Sequence, residues 1–347
     1  MCSGKKAAAC RRSRNIMTRK AMIFLIGVAL MVLFVGAGCS WFRRTPERAP
    51  APQEESSQIE IPAPINRGEN REPVLRVYFS ENNSIRPLNI EDYIQGVVAA
   101  EMDPSWPREA LAAQSIIARS FTLQKIAENG GVPGRNAHAS TNIEEFQAYD
   151  ASRINDNVRA AVESTRGMVA VYGNEFIRGW FHAYAGPRTA TATEGLDFAG
   201  PNPPYITVVD SPAREVIPKE ERDWQARFSL AAIREAVRKI TGQDPGVITG
   251  ISIARKGPSG RATRLQVNNL EVSAPQLRIA LGSTEMRSTY LEDIRIEDAS
   301  VVMNGTGYGH GVGMCQWGAR ALAEEGKKAG EIVNYYYKNV KIVKLWE

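Results

Sequence analysis

The chain has 347 residues, 43 Lys+Arg against 38 Asp+Glu, and a formal net charge of +5. Seven of the cations fall in residues 1–20, so beyond residue 39 the balance is 36 against 38, a net of −2. That remainder lacks the basic footprint of a nucleic-acid binder, and it is long enough for one large or two small packed cores.

Lys5, Lys6, Arg11, Arg12, Arg14, Arg19 and Lys20 precede an uncharged apolar run of 18 residues, 21–38. A basic segment, an apolar segment and small residues make an export signal. The same run also matches an uncleaved membrane helix whose basic flank stays cytoplasmic. Gly36-Ala37-Gly38-Cys39 resembles a bacterial lipobox, with Gly36 where Leu is usual. Cys39 is therefore the expected lipidation site, and Met17 offers an alternative start. Either way the expectation is an exported chain, attached to the membrane through its N-terminus.

Residues 40–73 read as a Pro-rich linker. Six prolines and clustered Glu, Gln and Ser in 43–73 leave too few large apolar side chains for a core. The body is 74–347. Val74–Phe79 alternates like a strand. Asn89 is the expected N-cap of a helix carrying Tyr93, Ile94, Val97 and Val98 on one stripe and ending at Asp103-Pro104. A second helix starts at Pro107, with Ser105 as its cap, and stops at Asn129-Gly130-Gly131. Met168–Tyr172 and Glu175–Phe181 read as a hairpin. Phe228–Ile240 reads as a helix capped by Ser229. Val247–Arg255 and Arg264–Leu270 read as strands flanking a turn at 257–260. A glycine-rich loop (305–313), a helix near 315–325 and a last helix running into Tyr335-Tyr336-Tyr337 close the chain. Helices and strands mix without regular βαβ alternation, so the expected class is α+β, with antiparallel strands in one large or two closely packed domains.

Cysteine and histidine usage demands no metal. Cys2 and Cys10 lie on the cytoplasmic side or are removed, which leaves Cys315 alone in the body. A single Cys forms no internal disulfide, and His138, His182 and His310 show no HExxH spacing. No cofactor is expected.

Two segments carry candidate chemistry. Glu101 follows small apolar residues at the end of the first helix. The helix-end carbonyls and apolar burial both disfavour its charged form and raise its pKa, as a general acid near neutral pH requires. The bland alternative is a solvated glutamate ending an amphipathic helix. Residues 305–318 hold six glycines interleaved with Tyr308, His310, Gln316 and Trp317. This pattern fits no phosphate loop but suits a sugar: aromatic faces stack on rings while amide and imidazole bond hydroxyls. Its bland alternative is a tight structural turn. Cys315 and His310 raise a rival, a nucleophilic pair, against which a lone Cys is more often a small buried residue. Tyr184, Thr189 and Glu194, in a polar loop after a strand, are further groove candidates.

Four stretches together resemble the family of stage II sporulation protein D and the related amidase enhancers. They are Glu91–Met102 with Pro107–Arg119, Gln147-Ala148-Tyr149, Ser259-Gly260-Arg261, and Gly307–Ala319. The resemblance implies a lytic transglycosylase acting on peptidoglycan glycan strands, with Glu101 as its catalytic acid. Glu101 would protonate the glycosidic oxygen leaving MurNAc and then deprotonate the C6 hydroxyl that closes on C1, leaving a 1,6-anhydro end. Arg119, Gln147, Tyr149, Tyr308, His310, Gln316 and Trp317 are then the expected substrate-binding residues. The amidase-enhancer branch implies an alternative, a non-catalytic wall-binding partner of a cell wall amidase or remodelling complex. Some relatives hold zinc with a Cys/His cluster before the Gln-x-Tyr segment; here His138–Phe146 contains no Cys.

Overall fold

The computed structural model describes residues 59–63, 65–68 and 71–347. The expected export signal or anchor, Cys39 and most of the expected linker lie outside these residues. Among the described residues no helix is long and apolar enough to cross a membrane. The packed body begins before residue 74. Ile61 and Ile65 are buried in the main core, and β1 (Asn66–Arg67) pairs antiparallel with the next strand.

β2 (Pro73–Phe79) buries Leu75 and Val77 and turns Arg76 outward, the alternation of a half-buried strand. It pairs antiparallel with β3 (Ser84–Asn89) and leads into α1 (Ile90–Glu101). The expected stripe of α1 is fully buried: Tyr93, Ile94, Val97 and Val98. Its start differs from expectation. Asn89 makes no side-chain cap; the Glu72 carboxylate accepts the Glu91 N–H at 3.0 Å instead. α2 (Arg108–Asn129) likewise lacks the Ser105 cap, because Ser105 bonds Asp103 through both its N–H (2.8 Å) and its hydroxyl (2.7 Å).

β4 (Ala139–Ser140) pairs parallel with β2, and α3 (Asp156–Ser164) packs on α1 and α2. β5 (Met168–Tyr172) and β6 (Glu175–Phe176) form the expected hairpin with a shorter second arm. Arg178 N–H turns away to the Tyr205 hydroxyl at 2.9 Å, and β7 (Phe181–His182) joins a different pairing. Next come α4 (Ala192–Leu196), α5 (Lys219–Arg222) and β8 (Asp223–Ser229), which buries Trp224, Ala226 and Phe228 in strict alternation. Phe228 thus belongs to a strand, and α6 (Leu230–Thr241) starts after Ser229, whose hydroxyl caps Ala232 N–H at 3.1 Å.

β9 (Ile251–Lys256), β10 (Ala262–Val267) and β11 (Leu270–Ser273) form an antiparallel sheet. Two expected strands are reshaped here by Asn268. Its amide accepts from Thr249 and Gly250 N–H and donates to Pro245 and Val247 carbonyls, holding 245–250 out of the strand. Its positive φ of 49° splits 264–270 into two strands. α7 (Ala274–Leu281) follows, then β12 (Leu291–Glu297) and β13 (Ser300–Thr306), which make an antiparallel sheet with β8 in the order β12-β13-β8. β14 (Met314–Cys315) pairs parallel with β7; α8 (Gln316–Glu324), α9 (Ala329–Tyr336) and β15 (Lys341–Lys344), which pairs with β5, end the chain. The fold is α+β.

Two hydrophobic cores result among the described residues. The first draws on residues 61–217 and again on 312–346, while the second is confined to 224–303 and sits as an insertion in the first. One buried carboxylate ties the first together. Glu91 accepts Arg119 Nε (3.0 Å) and Nη2 (2.6 Å), Gly167 N–H (3.0 Å) and Trp346 Nε1 (2.9 Å). It thereby joins α1, α2, the turn before β5 and the C-terminal segment.

Candidate active site

Glu101 is the last residue of α1, and the chain turns extended at Met102 ahead of Asp103-Pro104. Its Oε1 accepts the Ala148 N–H at 3.0 Å, and its Oε2 lies 3.4 Å from Gln316 Nε2. Gly96 makes the first contact possible. A Cβ there would fall 2.2 Å from the Tyr149 ring, so only glycine lets the 147–150 segment lie on α1. Asp150 N–H then bonds Gly96 O at 3.0 Å, Tyr149 stacks on Tyr93 at 5.7 Å, and Ala148 is left aimed at Glu101.

α8 brings the second contact from the other end of the chain. Cys315 is fully buried, and its sulfur accepts the N–H of Gly318 and of Ala185, each at 3.3 Å. It caps α8, which places Gln316 in the first turn against Glu101 and Trp317 beside Trp106. The two indoles lie 4.6 Å apart, and the Arg320 guanidinium covers both, at 5.5 and 5.1 Å from their centres. Glu101, Gln316, Trp106, Trp317, Tyr308 and Arg320 all line one cleft of about 360 Å3.

Burial pushes the Glu101 carboxyl from 4.5 up to about 7, against the downward pull of the Ala148 and Gln316 bonds. Burial, more than the helix end, supplies the shift expected from sequence. Asp103, which lines the same cleft, moves the opposite way: its bonds from Ser105 hold it below the usual carboxylate range. Two carboxyls two residues apart therefore differ in protonation near neutral pH, one kept available as a proton donor and one ionised.

The other expected residues divide. Tyr308, Gln316 and Trp317 share the Glu101 cleft. Tyr149 and Gln147 stand behind it: Gln147 is buried and donates to Thr122 Oγ1 at 3.0 Å, and Tyr149 packs on α1. Arg119 is fully buried, spent on Glu91, Thr165 and the Val162 carbonyl, and does not line the cleft. His310 lines a different cavity; its Nδ1 accepts Val312 N–H at 3.0 Å, and burial pushes it down to about 3. No hydrogen bond joins it to Cys315, whose thiol burial pushes up and which therefore stays protonated. Of the loop candidates, Tyr184 lines the Glu101 cleft. Thr189 bonds the carbonyls of Thr207 and Val209. Glu194 accepts the Ser259 N–H (2.9 Å) and hydroxyl (2.7 Å).

That last contact explains the Ser-Gly-Arg stretch. Arg261 is fully buried beneath the glycine-rich loop and donates to Ala185 O at 2.7 Å. Gly311, at a φ of 85°, has no room for a Cβ, which would fall 2.4 Å from Arg261 Nε. Ser259 and Arg261 thus fix the loop rather than face the cleft. Sequence reasoning missed Trp106 and Arg320. The signal was present: Trp106 lies in the short break between the Glu101 helix and the next one, and Arg320 lies one turn beyond Gln316.

Because the thiol acts as a cap, Cys315→Ser is expected to keep the fold and any activity, since a serine hydroxyl can accept the same N–H. Cys315→Ala is expected to lower stability by ~1 kcal/mol. Thermal melts of both variants beside the wild type check this.

Comparison with known proteins places these elements in families. The model described as Stage II sporulation protein matches residues 78–172, which contain Glu101 and the Ala148 contact. A domain of unknown function matches 218–313, the second core and the glycine-rich loop. An uncharacterized protein of Brachyspira hyodysenteriae is 31% identical over 260 residues, covering 75% of this chain and 68% of that protein. Stage II sporulation protein D of Bacillus subtilis is 29% identical over 292 residues, covering 77% and 78%. The amidase enhancer of Bacillus subtilis is 26% identical over 287 residues, covering 70% of this chain and 39% of the enhancer. On these matches, the chain belongs to the stage II sporulation protein D family.

Proposed function

We propose that the protein is a lytic transglycosylase of the bacterial cell wall, exported and anchored at its N-terminus, with Glu101 as its acid and base. The supporting observation is a carboxyl raised to about 7 in a cleft walled by two tryptophans. A glycan strand lies along the wall that Trp106, Trp317 and Arg320 form, with its apolar sugar surface against the indoles. Protonated Glu101 donates to the glycosidic oxygen, the C1–O bond breaks, and GlcNAc leaves as an alcohol. Positive charge then develops at C1 of MurNAc. The Glu101 carboxylate takes the proton of the C6 hydroxyl as its oxygen closes on C1, which restores the acid and leaves a 1,6-anhydro ring. Water enters nowhere, so no second carboxylate is needed to activate it. Gln316 and the Ala148 N–H hold the carboxylate between the two transfers.

Trp317→Ala is expected to raise KM for strands by about tenfold, equivalent to ~1.4 kcal/mol, with a smaller effect on kcat. Incubating the protein with purified strands and separating the released fragments tests the reading. Anhydro-MurNAc ends support it, and intact strands sink it. The relative named amidase enhancer favours a second reading, in which the chain binds strands and stimulates an amidase without cutting. In that case Glu101→Gln would stimulate an added amidase as well as wild type does.

A further inference from the structure

The glycine-rich loop has a second face. Tyr308 lines the Glu101 cleft, whereas His310, two residues on, lines a separate cavity of about 490 Å3 bounded by α4, α6 and α7. That size is within the range of small-ligand sites. Leu196, Ile240 and Ile279 give it an apolar wall, and Ile279 is 66% exposed. Its charged lining is Arg278 and Lys239, with no Asp or Glu.

Arg278 is built into this wall. It is 9% exposed, and its Nε and Nη2 donate to the carbonyls of Arg287 and Ser283, each at 3.0 Å. Those bonds fix the guanidinium plane and leave Nη1 without a partner among the described residues. Burial lowers Arg278 only to about 10, so it remains a cation near neutral pH. His310 beside it is neutral, pushed down by burial and by the charges of Arg278 and Arg261. Asp197, next to Leu196, does not line the cavity and is paired with the Arg264 guanidinium at 3.5 Å.

We propose that this cavity binds a short apolar peptide by its free carboxylate, with Arg278 and Lys239 taking the carboxylate and the aliphatic wall taking the side chains. A fixed guanidinium with an open nitrogen is suited to a carboxylate. The lining has no stacked aromatics and one neutral amide, Gln276, which suits a peptide better than a sugar. Assigning the peptide to the stem peptides of the wall, which end in D-alanine, rests on the proposed wall function; recognition of a peptide carboxylate does not.

Calorimetric titration of the full chain with N-acetyl-D-alanyl-D-alanine, its C-terminal amide and the L,L acid tests the proposal. The expected result is saturable binding of the D,D acid, at least about tenfold weaker binding of the amide, and weaker binding of the L,L acid. Ile279→Asp, at an exposed position, is expected to lose binding by a similar factor with an unchanged melting temperature. Absence of saturable binding, equal binding of acid and amide, or undiminished binding by Ile279→Asp overturns the site. Preference for the L,L acid overturns the stem-peptide assignment. None of these readouts involves strand cutting, so failure here and failure of the Glu101 reading are separately visible.

Discussion

Glu101→Gln is expected to lower strand cutting by about 100- to 10,000-fold, the usual contribution of a general acid, while folding at least as well as the wild type. The stability part follows from the same burial that makes the group an acid. Its folded pKa of about 7 lies above its ordinary 4.5. Between those values the folded protein holds a proton that the unfolded chain has released. The stability linked to this proton is complete below about pH 4.5 and is lost as pH rises through 7. Glutamine carries no charge at either end of that window. Its stability should therefore match the wild type near pH 4.5 and exceed it increasingly toward pH 8, by ~1–3 kcal/mol once partial exposure is allowed for. The activity of the wild type should fall over the same upper range, with an apparent pKa near 7, because the first step needs the protonated acid. A set of melts and initial rates across pH 5–8 checks both halves. A glutamine variant that is less stable at every pH would mean that the carboxylate is held for structure.

Arg119→Ala is expected to be the most damaging substitution to the fold, at ~3–5 kcal/mol, because it strands the Glu91 carboxylate unpaired in the core. Arg119 is fully buried, and Glu91 also carries the Gly167 N–H and the Trp346 indole. Loss of the cation thus loosens the junction of α1, α2 and the C-terminal segment together. By contrast, the Arg159–Asp156 pair is exposed to solvent and screened, so its loss should leave the urea midpoint unchanged. Replacing both buried partners, as in Glu91→Leu with Arg119→Met, should recover part of the loss, since a neutral pair removes the desolvated charge. Urea midpoints of the single and double variants measure this. If Arg119→Ala kept its midpoint but lost glycan affinity, the arginine would belong to the substrate surface rather than to the core.

The contrast between Glu101 and Arg119 marks what the sequence made legible. Both sit in the same recognisable stretch, and helical periodicity placed the buried stripe of α1 residue by residue. Periodicity does not say which polar side chain points to a cleft and which to a partner across the core. That depends on long-range contacts, Glu91 with Trp346 and Glu101 with Gln316, separated by 255 and 215 residues. The same limit hid Ser259 and Arg261, whose partners Glu194 and Ala185 lie in another segment. It also set His310 on the far side of its loop, since alternating glycines with positive φ at 307, 309, 311 and 313 re-aim each intervening side chain.

Local rules failed where a side chain replaced a backbone partner. Asn268 stitched 245–250 out of a strand, Glu72 took the place of an Asn89 cap, and Asp103 captured Ser105. The sheet of β8, β12 and β13 went unread although β8 alternates strictly, because its Phe228 abuts a helix whose apolar pattern continues the run. The α+β class survived these shifts because it rests on element types rather than on their exact ends.

The most direct measurement of the central claim is the mass of the new MurNAc ends formed from purified glycan strands in water enriched in oxygen-18. Closure by the C6 hydroxyl predicts ends lighter by one water than a reducing sugar and free of the heavy isotope, formed by the wild type and lost in Glu101→Gln. Reducing ends carrying oxygen-18, or anhydro ends formed undiminished by Glu101→Gln, would contradict it.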